Sequence, residues 1–170
     1  MKKSVYLAGA MSCYFNTEQH DYPKKWREDV KKYVKEFYDD IIIISPTDYY
    51  EIGKDYHKSE SEAMRFDLRM VREADVVLVN LKDLHTSLGT SDEIFYSFVK
   101  GKPVIGFLED ESEKNKIHPW KLEQIDRIET GEGAIQNALD YIYKYYVDRP
   151  CWMLFEEELY EFNSKWIQVQ

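Results

Sequence analysis

Short apolar runs alternate along this chain with longer stretches of helical periodicity. Val5-Tyr6-Leu7-Ala8-Gly9, Ile41-Ile42-Ile43-Ile44, Val76–Leu81 and Val104–Leu108 are each bounded by polar or turn residues. Runs of this length predict strands buried on both faces, as in a parallel sheet. Between them lie helices. One begins at Pro23 and carries Trp26, Val30, Tyr33, Val34 and Phe37 at helical spacing. Others are predicted over Ser61–Glu73, Ser91–Lys100 and Gly133–Val147, the last with Ile135, Ala138, Leu139 and Ile142 inward. A fifth strand is expected around Arg127-Ile128-Glu129. Strand and helix in alternation predict an α/β class with a parallel sheet and right-handed crossovers.

The intervening segments read as loops. Met11–Tyr22 runs over the strand ends, Thr47–Ser61 is rich in Tyr, Asp and Gly, and Glu109–Lys116 is a charged, solvated loop. Pro150 ends the last helix. Residues 1–149 are therefore read as one domain. Residues 150–170, aromatic and acidic, form a C-terminal extension expected to pack on the body or on a neighbouring subunit.

Composition narrows the function. A length of 170 residues, 44% of them hydrophobic, suits one domain with its own core. A formal net charge of -9 argues against a nucleic-acid polymer or an anionic membrane as partner. The two cysteines, Cys13 and Cys151, lack metal-type spacing, and His20, His57 and His85 are scattered, so no metal or disulfide framework is expected. Neither a signal peptide nor a membrane span is read, and the cytoplasm is the expected compartment.

Ser87-Leu88-Gly89-Thr90-Ser91-Asp92-Glu93 follows the third strand directly. Ligands of open parallel sheets bind just beyond the carboxyl ends of the strands, so Glu93 is expected at a helix start facing a cleft. Thr90-x-x-Glu93 equally fits a capping box, in which the glutamate only returns a hydrogen bond to the helix start. Asp67 lies three residues after Met64 and four before Val71, on the apolar face of its helix. A carboxylate there needs a function or a partner, and Arg65 and Arg72 are the candidate ion-pair partners. Tyr6, near the carboxyl end of the first strand, is either core or a hydroxyl within reach of a carboxylate. Trp26 and Arg27 are read as helix packing and a surface ion pair. Two carboxylates and a phenol round a strand-end cleft suit glycosyl chemistry, one acid attacking the anomeric carbon and the other handling protons.

Taken in order, Tyr6-Leu7-Ala8-Gly9, the stretch Arg65-Phe66-Asp67 to Ala74-Asp75, Ser87–Glu93 and Gly101-Lys102-Pro103-Val104-Ile105 resemble the nucleoside 2-deoxyribosyltransferase family. The resemblance implies a flavodoxin-like, doubly wound sheet of about five strands with helices on both faces. It implies base exchange through a covalent deoxyribosyl-glutamate, with deoxynucleosides and free bases as partners, no cofactor, and a homo-oligomer. Glu93 matches the nucleophile, Asp67 the aspartate serving the base, and Tyr6 the tyrosine that orients the nucleophile. Gly9 and Gly89 match glycines that let the sugar approach, with Ala10 beside Gly9. Ser87 stands where transferases often carry an aspartate. A serine there resembles the related deoxynucleoside 5'-monophosphate N-glycosidases, although Ala10-Met11-Ser12-Cys13 lacks the arginine that branch uses on phosphate. Asp48 is placed to read the base edge, with Tyr49 or Phe15 stacking on it. His118 lies near the region through which a neighbouring subunit enters the site. Hydrolysis, and a non-catalytic nucleotide- or partner-binding module, are the other readings the residues leave open.

Overall fold

A computed structural model describes residues 2–50 and 57–148. The extension expected over 150–170 lies outside them. The chain builds a five-stranded parallel sheet from β1 (Lys3–Gly9), β2 (Ile41–Ile44), β3 (Val76–Asn80), β4 (Val104–Leu108) and β5 (Arg127–Thr130), in spatial order β2-β1-β3-β4-β5. That is the flavodoxin-like order, whose connections reverse direction between β1 and β3. The helices are α1 (Tyr22–Phe37), α2 (Glu60–Glu73), α3 (Leu88–Val99), the short α4 (Pro119–Leu122) and α5 (Ala134–Ile142).

Strand side chains alternate between two cores. Val5 and Leu7 of β1, with Val76, Leu78, Ile105 and Phe107, pack under α1 and α5. Tyr6 and Ala8, with Val77, Val79 and Val104, face α2 and α3. Both faces of β1, β3 and β4 are covered, so these strands read as unbroken apolar runs. The register puts Gly9 opposite Asn80, so β1 and β3 end together at the reversal point. Asp75 holds the other end of that pair. Its carboxylate accepts from the Ser4 amide at 2.8 Å and the Ser4 hydroxyl at 2.9 Å.

Several expectations are corrected here. β2 is an edge strand paired only with β1, so Ile42 is 48% exposed despite the four-isoleucine run. Phe37 and Met64 match the helical period yet are exposed: Phe37 is the last residue of α1 and Met64 lies near the start of α2. The charged segment Glu111–Lys116 winds into 3-10 turns, with Asp110 capping them through the Ser112 amide at 2.9 Å. The final helix keeps α geometry only to Ile142 and passes into a π-helical turn over Tyr143–Val147. The short α4 was not anticipated; Pro119 starts it and the His118 ring accepts from the Trp120 amide.

Candidate active site

The period-two alternation of β1 sends Tyr6 toward α2 and α3, where its hydroxyl donates to Glu93 Oε1 at 2.6 Å. The length and acceptor mark a charge-assisted bond. α3 begins one turn before the predicted Ser91. Ser87 is the N-cap, its hydroxyl accepting from the Thr90 amide. Glu93 consequently falls beyond the first turn, too deep to close a capping box, and its side chain turns inward to Tyr6 instead. It is only 9% exposed. Burial, and repulsion from Asp67, push its carboxyl up to about 7, while the Tyr6 hydrogen bond and the Arg27 charge oppose the rise.

Asp67 projects from α2 into the same space. Among the described residues no ion pair joins Asp67 to Arg65 or Arg72: Arg72 pairs with Glu73 at 3.1 Å, and Tyr50 and His57 act on Asp67 to favour its charged form. Burial raises its proton affinity as well. Tyr6 feels the charge of both carboxylates, and burial with that charge holds its phenol well above its ordinary range. The three residues expected to act together are thus gathered by three different elements, β1, α2 and α3. A buried carboxylate with raised basicity, fixed by a phenol and facing a second acid, can attack an electrophilic carbon while its partner moves a proton.

Arg27 was read as a surface residue and is fully buried. Its guanidinium donates to the Pro23 carbonyl at 2.7 Å and the Gly9 carbonyl at 3.0 Å, and lies 4.3 Å from the centre of the Trp26 ring. Its Nε finds no partner among the described residues. Burial lowers its pKa to about 10, partly offset by Glu93 and Tyr6. Arg27 therefore supplies positive charge beneath the site and grips the end of β1. The signal was present in the sequence: Arg27, Val30 and Val34 recur at helical spacing, the argument already applied to Asp67.

The other predicted residues divide. Gly9 ends β1 against Trp26, where an added methyl would meet Trp26 Cζ2 at 2.9 Å and Asn80 Cβ at 3.2 Å. Ala10 follows it, buried. Gly89, in the first turn of α3, borders open space. Ser87 shares its hydroxyl with Thr90 Oγ1 at 2.8 Å. The Asp48 carboxylate is taken up by Lys31 of α1. Phe15 is 40% exposed on the loop after β1. His118 lies with Ser87 and Trp120 in a separate groove of about 820 Å³ beside α3. Among the described residues no cluster of His, Cys, Asp and Glu is gathered as a metal site requires, and no helix is long and apolar enough to cross a membrane.

Comparison with known proteins bears on this geometry. The profile of the nucleoside 2-deoxyribosyltransferase family matches residues 5–139, from β1 into α5. Among solved structures, a conserved protein from Enterococcus faecalis V583 superposes with a TM-score of 0.60 at 18% identity, over 81% of this chain and 99% of that one. A 2-deoxyribosyltransferase from Bacillus psychrosaccharolyticus superposes with a TM-score of 0.54 at 20% identity, over 74% and 84%. At such identities the likeness is one of fold. No curated protein matches the chain. The family profile spans every strand and the helices that carry Asp67 and Glu93; on that extent the chain belongs to the nucleoside 2-deoxyribosyltransferase family.

Proposed function

We propose that the protein transfers 2-deoxyribose between purine or pyrimidine bases through a covalent deoxyribosyl-Glu93. The observation that carries this reading is the Glu93 carboxylate: buried, bonded to Tyr6 at 2.6 Å and coupled to Asp67 at the strand-end reversal. In the first step a Glu93 oxygen bonds to the anomeric carbon as the glycosidic C–N bond breaks. The bond's electron pair leaves with the base, and Asp67 gives that base a proton. In the second step the nitrogen of an arriving base attacks the same carbon. The ester bond to Glu93 breaks, its electrons return to the carboxylate, and Asp67 takes the proton back. Lacking a 2-hydroxyl, deoxyribose forms the oxocarbenium-like transition state more easily than ribose, so this site has no need of a ribose-hydroxyl pocket.

Ala10-Met11-Ser12-Cys13, without an arginine, and a net charge of -9 favour an unphosphorylated nucleoside over a 5'-monophosphate, against the serine at position 87. The working protein is proposed to be a cytoplasmic homo-oligomer, since α3 turns an apolar outer face of Leu88, Phe95 and Val99 to solvent.

Incubation of a deoxynucleoside with a different free base tests the reading. A new deoxynucleoside is expected by chromatography, with a loss of at least about 1,000-fold in Glu93→Ala. Free base released without exchange would make the protein a hydrolase, and a gain from a 5'-phosphate would place it with the N-glycosidases. Neither product, with no deoxyribosyl adduct by mass spectrometry, would leave a binding module.

A further inference from the structure

We propose that Tyr14 and Asp83 are positioning residues, which hold the two walls of the deoxyribosyl-transfer site at a fixed separation. This rests on the transfer reading and adds residues to it. The Tyr14 hydroxyl donates to Asp83 Oδ2 at 2.6 Å, the length of the Tyr6 bond to Glu93. Both bonds join the same two stretches of chain. Tyr6 and Tyr14 lie on β1 and the loop after it, Asp83 and Glu93 on the turn after β3 and on α3. Along the chain, Gly9 and Ala10 fall between the two bonds on one wall, and Ser87 and Gly89 on the other. These are the residues matched to the sugar. A Cβ added at Gly89 would meet no atom within 4 Å, so that wall borders open space.

Each end of the outer bond is itself anchored. Tyr14 is buried, its ring centre 5.2 Å from that of Tyr22. The Tyr22 hydroxyl accepts from the Asn80 side-chain amide at 3.0 Å, at the end of β3. Burial and the bond to Asp83 hold the Tyr14 phenol well above its ordinary range, so it keeps its proton and stays the donor. Asp83 has φ 55° and ψ 22°, a left-handed conformation that disfavours residues with a Cβ, Asp and Asn least. Among the described residues only Asn16, two past Tyr14, is another non-glycine residue with positive φ. A 3-10 turn, Leu84–Thr86, starts from Asp83. The Asp83 carbonyl accepts from the Thr86 amide at 2.9 Å and the Thr86 hydroxyl at 2.7 Å. The Leu84 carbonyl then accepts from the Ser87 amide at 3.0 Å, and Ser87 caps the helix that carries Glu93. The place of Asp83 is thus passed by successive hydrogen bonds to Ser87 and α3. A carboxylate held in this backbone conformation and bonded across the loops orders both walls before a sugar arrives, which spares the substrate that cost.

Hydrogen exchange and kinetics test the clasp with three variants. Tyr14→Phe removes only the hydroxyl. Asp83→Gly keeps the left-handed turn and removes the acceptor, whereas Asp83→Asn keeps the turn and an acceptor oxygen. By mass spectrometry, Tyr14→Phe is expected to speed amide exchange over residues 81–87 by at least about threefold, and Asp83→Gly to do so over residues 11–21. Unchanged exchange in the segment opposite each substitution would overturn the clasp without reference to activity. In deoxyribosyl transfer, Tyr14→Phe and Asp83→Gly are expected to raise KM for the deoxynucleoside roughly 5- to 50-fold, with kcat within about threefold. The double variant is expected to lose no more than either single one, and Asp83→Asn to stay within about threefold of the wild-type chain. Additive losses, or an unchanged KM in variants whose exchange has risen, would overturn the positioning role and leave the bond to loop packing. If the wild-type chain turns over no deoxynucleoside, the transfer reading has failed, and exchange alone decides whether the two walls are joined.

Discussion

Glu93 is where the cost of the proposed chemistry is concentrated. Its carboxyl is raised to about 7, against an ordinary value of 4.5. The native state therefore holds that proton more tightly than the unfolded chain. Below about pH 4 both states are protonated and nothing is lost. As pH rises toward 7 the unfolded chain ionises first, and native stability falls until Glu93 itself ionises. Glu93→Gln mimics the protonated form. It is expected to gain roughly 2–4 kcal/mol over the wild-type chain at pH 8 and almost nothing at pH 4, while abolishing transfer. Denaturant unfolding at the two pH values checks this, and a destabilised variant at pH 8 would contradict it. Of the site residues, Asp67 was legible from its place on an apolar helix face, and Glu93 and Tyr6 from their strand-end positions together with the family resemblance. The partners were not: that Asp67 acts on Glu93 and does not pair with Arg72, or that Arg27 lies beneath Glu93, depends on how distant elements are laid against one another.

At the scale of elements, the end of β1 is held from two directions. Arg27 of α1 donates to the Gly9 carbonyl at 3.0 Å, and the absent side chain of Gly9 lets Trp26 close on the strand, within 2.9 Å of where a methyl would stand. A ring edge in a packed core yields little. Gly9→Ala is expected to cost about 1–3 kcal/mol in thermal unfolding, and also to lower activity, since the strain reaches Tyr6 through β1. An unchanged Tm would show that Trp26 repacks freely. Four strands and their order of appearance could be read from apolar runs; β5, Arg127-Ile128-Glu129-Thr130, holds a single apolar residue and has no such run. Helix starts shifted by up to three residues because the cap decides them: Ser87, not Ser91, begins α3. A run of four isoleucines says nothing of whether its strand lies inside or at the edge, which the pairing of β2 with β1 alone settles.

For the molecule as a whole, a net charge of -9 keeps copies apart, whereas the apolar outer face of α3 is proposed to join them. Leu88 is 77% exposed and Trp120, across the groove from it, 77%. Apolar surface of that kind on a charged protein marks an interaction site. Phe95→Glu is expected to shift the protein to monomer in light scattering, with no loss of fold by circular dichroism. A wild-type chain that is already monomeric would remove the case for this interface. By itself the sequence determined the α/β class and the four apolar strands, and with the family resemblance it singled out the three residues of the proposed chemistry, because hydrophobic period and strand-end position are local properties of the chain. Only the tertiary structure decided the burial of Arg27, the pairing of Arg72 with Glu73 and not Asp67, and the edge position of β2. Those depend on which distant elements meet, and the free energy of burying or pairing a charge is set by neighbours that no local window contains.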